Sequence, residues 1–289
     1  MIQLFVNAII SGSLLAVVSW SFGIIFSSTK IFHIAHAINY VVTVYLFLLF
    51  DNIIHVWFVS VLLALIGTAS IAVLMELLIY RPLFKKEVNQ NITLISSLGL
   101  QILGVNLIAM IAGNENQTLK FITNFSYDYG TIIITKVQYL QIAISTIVMI
   151  GLYLLFRFTD IGLKIRAVAD KHIVASVLGI NVLQIRNIVF ILGSVVVGIA
   201  AILKAVDVGI DPNSGMNVVL SAIVVVILNK RDSIIGIVVI SMIISLLHNL
   251  TEWYFSSEIK EAVTYFLLIV VMLFRTERIL EYKMRVEEK

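Results

Sequence analysis

His33 and His36 lie three residues apart, a spacing that puts both on one face of a helix. A metal held there would need a third and a fourth ligand, and no carboxylate lies nearby in sequence. A role in helix entry or packing is the competing reading. Glu76 and Lys204 are ionisable residues inside otherwise apolar stretches, where charge is costly and often functional. Glu76 precedes Arg81 by about one turn, which suggests a structural pair with a nearby base. Lys204 precedes Asp207 by three residues, so these two are expected to meet on one helix face. The competing reading of Lys204 is a lysine snorkelling toward the outer interface.

Other chemistries lack their residues. The chain has no cysteine, which excludes disulfides, thiolate metal sites and cysteine nucleophiles. No nucleophile elbow is present. No G-x-x-x-x-G-K-[ST] loop is present either, so ATP cannot be bound by that device. The expectation is a chain with no catalytic residue, no metal and no cofactor of its own.

The elements that would carry these residues are greasy. Of 289 residues, 60% are hydrophobic and only 13% charged, about half the charge of a soluble domain. Apolar stretches near the ~20 residues needed to cross a bilayer recur at 3–27, 33–50, 57–80, 92–112, 137–156, 188–206, 233–250 and 259–274. The run 216–228 is shorter and reads as a half-helix or re-entrant piece packed against protein. Pro82 is expected to stop the third segment. The expected class is therefore all-α: a polytopic helical membrane protein with eight or nine transmembrane segments in a single transmembrane domain, 1–289.

Lys and Arg concentrate in the loops 81–87, 157–187 and 229–232 and in the tail 275–289. Positive residues favour the cytoplasmic side. Placing all four there gives a consistent alternation, with the amino terminus and the loops 113–136 and 207–215 outside. This clustering reads as membrane topology, and no nucleic-acid partner is expected.

One polar island interrupts the pattern: "IRAVADKHIVASVLGIN", residues 165–181. Val168, Ala175 and Leu178 recur at helical spacing, and Gly179 sits where a helix would end in the left-handed conformation. An apolar face rimmed by charge marks an interaction site, while a solvated connecting loop fits the spacing equally well.

The island resembles the cytoplasmic loop of LivH-type permeases, the membrane subunits of branched-chain amino acid ABC importers. Their pattern is roughly R-A-x-A-E-D-P-x-x-A-x-x-L-G-I-N. Arg166, Ala167, Ala169, Asp170, Ala175, Leu178, Gly179, Ile180 and Asn181 stand in register, with departures at Asp170 (Glu is usual), Lys171 (an acid is usual) and His172 (Pro is usual). "MELLIYRPLFKK" resembles the family's E-R-x-x-Y-R-P-L-R, and "TLISSLGLQILGVN" its T-L-G-L-S-x-x-L-Q-N. "FHIAHAINYVVTVY" is similar to I-N-F-A-H-G-E-x-Y-M-x-G-A-Y, with His33, Ala37, Ile38 and Thr43 in place of Asn, Gly, Glu and Gly. The family's glycine-rich G-G-x-G-S-x-x-G has become "LNKRDSIIG", which keeps Ser233 and Gly236.

The resemblance implies a permease subunit of an importer in the bacterial inner membrane. It would move branched-chain or other amino acids by alternating access. A cytoplasmic ATPase subunit would dock on the loop 157–187, through Arg166, Asp170, Ala175, Leu178, Gly179 and Ile180. The partners would also include a second related permease or a copy of the same chain, an extracytoplasmic solute-binding protein and membrane lipid. Polar residues in the matching membrane stretches, His36, Tyr40, Gln101 and Asn106, are candidates for the translocation path. Lys204 and Asp207 join them from the outer end of the sixth segment. The departures at Ile38 and in the glycine-rich loop leave the solute open, urea and short amides included. The alternative is a stand-alone secondary transporter or channel; a proton- or sodium-driven carrier would carry acids at mid-bilayer, where this chain has almost none.

Overall fold

The computed structural model describes residues 1–119, 125–229, 233–255, 259–260, 262–270 and 273. Helices dominate in the order α1 Ile2–Thr29, α2 His36–Ile54, α3 Trp57–Met75, a π-turn Glu76–Tyr80, α4 Arg81–Lys85, α5 Gln90–Ala112, α6 Lys136–Phe158, α7 Asp160–Asp170, α8 His172–Val177, α9 Val182–Asp207, α10 Ser214–Leu228 and α11 Ile234–Tyr254. A small antiparallel hairpin, β1 Ser126–Asp128 with β2 Ile133–Thr135, precedes α6.

Among the described residues, seven helices are long and apolar enough to cross a membrane, with α3, the π-turn and α4 forming one continuous span. The short apolar helix α10 is the eighth. At 15 residues it reaches about 22 Å, less than the ~30 Å hydrocarbon core. It is buried on most sides, as a half-helix packed against protein must be. Residues 262–270 are helical where a ninth segment is expected. The arrangement is that of a polytopic all-α membrane protein.

The core is built on α1, which packs against α11, α9, α10 and α6, while α2 packs on α3 and α9. The outer helices show an inverted pattern. α5 buries Thr93, Ser97 and Gln101 and leaves Ile95, Ile102 and Ile111 exposed. α3 buries Ser60, Ala64, Thr68 and Ala72. Lipid is as apolar as leucine, so burying a leucine inside gains little in a bilayer; small residues let backbones approach and hydroxyls find partners. Thr43 and Thr68 meet in this way at 2.9 Å between α2 and α3.

The buried positions on the third span recur every four residues and continue through Glu76 and Tyr80. Four residues of α-helix overshoot a full turn by about 40°, so the stripe would drift off the core. The wider π-turn Glu76–Tyr80 lags instead and returns Tyr80 to the buried face. It also changes the expected end of the span. Pro82 does not stop the helix; it follows directly on the π-turn as the second residue of α4, and the helix runs on to Lys85.

Hydrogen bonds between loops sort the two ends of the bundle. Gln90 Nε2 donates to Lys30 O at 3.1 Å, and Arg81 Nη2 to Asn187 Oδ1 at 2.9 Å. At the other end Gln3 Nε2 donates to Ile133 O at 3.0 Å, and Gln117 pairs with Ile210. The first group is the end that the positive loops place in the cytoplasm. The tail 275–289 and residues 230–232 of the altered glycine-rich loop lie outside the described residues.

Candidate functional site

The polar island folds as two helices rather than one. Thr159 caps α7, its hydroxyl accepting from Gly162 N at 3.1 Å. α7 buries Ile165 and Val168 against the bundle. Lys171 then adopts an extended conformation (φ −147, ψ 98), breaking the helix where the family pattern nears its proline, and α8 starts at His172. After α8, Gly179 takes φ 83 as the sequence suggests. Ile180 N donates to Ala175 O at 3.0 Å, closing the terminal turn. Asn181 then caps α9 by accepting from Gln184 N at 3.2 Å.

This geometry divides the expected docking residues. Ala175 is buried and Ile180 packs partly against the core, so both anchor α8 to its own chain. Leu178 is 73% exposed and Val177 80% exposed, with Ile173 and Val174 also open. Arg166 and Asp170 are exposed on α7. The island therefore presents an apolar surface of four residues beside three charged ones, Arg166, Asp170 and Lys171, at the end of the bundle that the positive loops assign to the cytoplasm.

Behind that surface lies a buried ion pair. Arg186 Nε donates to Glu76 Oε1 at 2.6 Å and Nη2 to Oε2 at 2.9 Å, with the side chains 1% and 0% exposed. The guanidinium also stacks on Phe84, 4.5 Å from the ring centre, and Phe84 meets the His172 ring of α8 edge-on at 5.8 Å. The sequence marked Glu76 as needing a base and pointed to Arg81. Arg81 instead donates to Asn187. The missed signal was Arg186, a cation at the head of an apolar segment on the same side of the membrane.

The two histidines sit next to this pair in a closed polar cluster. His33 Nδ1 lies 2.9 Å from Tyr80 Oη, and Tyr80 donates to Ser97 Oγ at 3.0 Å. Ser97 Oγ also accepts from Ala35 N at 3.0 Å. His36 Nε2 lies 2.9 Å from Ser21 Oγ. His33, His36 and Asn39 are fully buried, and Tyr40 is nearly so. Among the described residues no group of three His, Cys, Asp or Glu comes together for a metal.

The remaining path candidates are spread over the bundle. Gln101 is buried on α5 facing α2. Asn106 is exposed on α5, its Nδ2 donating to Ile102 O of its own helix at 2.7 Å. Lys204 and Asp207 lie at the C-terminal end of α9, but they do not form the expected pair. The ion pairs among the described residues are Arg186–Glu76 and Lys260–Glu252. Asp207 Oδ2 accepts instead from Gln141 Nε2 of α6 at 3.2 Å, because that amide, also bonded to Leu203 O at 3.0 Å, is buried and faces it. The break after α9 is shaped by Asp211, whose carboxylate accepts from Asn213 N at 2.8 Å and Ser214 N at 3.2 Å. Gly215 follows at a point where a Cβ would collide with Ala37 O of α2.

The chain is similar to BraD of Pseudomonas aeruginosa, a high-affinity branched-chain amino acid transport system permease protein. They are 24% identical over 294 aligned residues, covering 96% of this chain and 95% of the relative. LivH of Escherichia coli K12, which carries the same description, is 28% identical over 204 residues, 68% of this chain and 66% of that one. The solved structure of PsaBC from Streptococcus pneumoniae in complex with Fab superposes with a TM-score of 0.51 at 13% identity. It covers 96% of this chain and 94% of that chain, a likeness of fold alone. Residues 4–272 match the family described as the branched-chain amino acid transport system permease component, and the chain belongs to that family.

Proposed function

We propose that this chain forms the membrane half of an ATP-driven importer for small amino acids, branched-chain ones first among them. The observation that carries the reading is the family match over 4–272 together with the exposed apolar turn at Val177 and Leu178. The relatives are named for branched-chain amino acid transport. The chain carries no phosphate-binding loop, so the energy comes from a separate ATPase that docks on α8, with Arg166 and Asp170 at the rim. It needs no cofactor or metal of its own. A second permease, like or unlike, completes the translocation unit, and an extracytoplasmic solute-binding protein delivers the solute.

In this reading Lys204 and Asp207 line the outer vestibule, Asn106 on the open face of α5 meets the solute further in, and Gln101 on the buried face meets it only when the helices part. His36 and Tyr40 lie behind α5 and meet the solute only when the helices part during alternating access. The experiment is reconstitution of the complete importer in proteoliposomes, with uptake of labelled leucine, glutamine and urea. Leucine uptake that requires both ATP and the binding protein supports the reading. Uptake by this chain alone, without ATP, would overturn it in favour of a stand-alone carrier.

A further inference from the structure

A cavity of about 740 Å³ opens at the cytoplasmic end of the bundle, where α1, α6, α7, α10 and α11 converge. Lys30, Arg157 and Arg166 stand at its mouth, with Asp170 the one acid among the described lining residues. Its floor is apolar and aromatic, formed by Trp20, Ile24 and Phe156 with Val226 and Ile237. Along α1 the lining runs ten residues from Lys30 back to Trp20, about 15 Å toward the bilayer centre. On α6, Tyr153 lies one turn deeper than Arg157 and is 45% exposed.

The recess is thus cationic at the membrane boundary and greasy below it. Excess Lys and Arg on this side are expected of any membrane protein, but loop cations need not gather over an apolar hollow. Arg157 and Arg166 come from different helices, and neither guanidinium has a hydrogen bond or ion pair among the described residues. Arg166 and Asp170, one turn apart on α7, do not neutralise each other by an ion pair.

We propose that this recess seats an anionic phospholipid of the cytoplasmic leaflet. Its phosphate lies between Arg157 and Arg166, and the first part of an acyl chain runs along Trp20 and Ile24. A planar guanidinium matches phosphate oxygens two at a time, and basic pockets between helices on this face suit anionic headgroups. The apolar floor is what favours a lipid over free phosphate, which shares the headgroup chemistry and has nothing to place there. Since Arg166 belongs to α7, the lipid fastens the helix that leads into α8.

The test is native mass spectrometry of the purified full-length chain in detergent, supplied with phosphatidylglycerol or phosphatidylcholine. Wild type should retain phosphatidylglycerol and release phosphatidylcholine. The double variant Arg157→Gln/Arg166→Gln should bind phosphatidylglycerol about thirtyfold more weakly. Arg157→Lys/Arg166→Lys keeps the charge without the paired guanidinium geometry and should bind more weakly than wild type but more tightly than the double Gln variant. Gly23→Leu, which lines the recess, should block the lipid with every charge intact. Lys164→Gln removes an exposed cation of α7 outside the recess and should bind as wild type does. Equal retention of phosphatidylcholine, unchanged binding by the double Gln variant, or an equal loss in Lys164→Gln would overturn the proposal. Displacement of phosphatidylglycerol by millimolar inorganic phosphate would also overturn it, by making free phosphate the ligand.

Discussion

Arg186 and Glu76, separated by 110 positions in sequence, meet through two parallel hydrogen bonds at 2.6 and 2.9 Å in a site closed to solvent. Removing one partner leaves the other charge buried and alone, at a cost of about 3–5 kcal/mol. Glu76→Met and Arg186→Met should each lower the thermal midpoint of the purified chain and its abundance in the membrane. The double variant should recover most of both, because an apolar pair replaces a charged one at little net cost. A double variant less stable than either single one would contradict this.

The exposed turn after α8 makes a second prediction. Leu178 is 73% exposed, so Leu178→Asp should leave the stability of the chain within about 0.5 kcal/mol. Its effect should fall on the ATPase, where a charge enters an apolar contact and weakens association by about 2–4 kcal/mol. Copurification of the ATPase with the tagged permease measures it. Wild-type recovery would exclude Leu178 from the docking surface.

The two ends of the bundle can be told apart by labelling. Lys86 and Thr131 are exposed at opposite ends, and the chain has no native cysteine to interfere. Lys86→Cys should resist a membrane-impermeant maleimide in intact cells, whereas Thr131→Cys should react. The reverse pattern would invert the topology.

Much of this architecture can be read from the sequence because the bilayer imposes a single length scale. The segments, the short α10, the glycine at 179 and the charge-sorted loops all follow from local pattern. The π-turn at Glu76–Tyr80 does not, since its cause is the drift of a buried stripe relative to a neighbouring helix. Nor does the choice of Arg186 over Arg81, which depends on how α9 crosses the third span. The split of the island into α7 and α8 was hidden because helical spacing holds on both sides of Lys171, and one extended residue suffices to break it. Ala175 matched the docking pattern, yet its methyl faces inward; a residue can belong to a motif by holding the surface up.

Lys204 tests the outer vestibule. Asp207 is held by Gln141 rather than in an ion pair with Lys204, so removing the lysine leaves that hydrogen bond in place. Lys204→Met keeps the apolar stem and removes the charge. Uptake by the reconstituted importer should fall about tenfold or more, a change of ~1.4 kcal/mol, with insertion and ATPase binding unchanged. Gln141→Leu should be milder for uptake and should instead loosen α6 from α9, lowering the thermal midpoint. Full uptake by Lys204→Met at normal abundance would remove this lysine from the path.

Ser11 of α1 touches Ser245 of α11 across 234 positions of sequence, and Asn249 donates to the same hydroxyl at 3.2 Å. A ribosome adding 5–20 residues per second needs roughly ten to fifty seconds to cover that interval. α1 therefore waits, with Ser11 Oγ bonded only to Asn7 O of its own helix, until α11 arrives. Translation past α11 becomes the moment at which the bundle can close, and a nascent chain arrested before it should remain open to the quality-control proteases of the membrane.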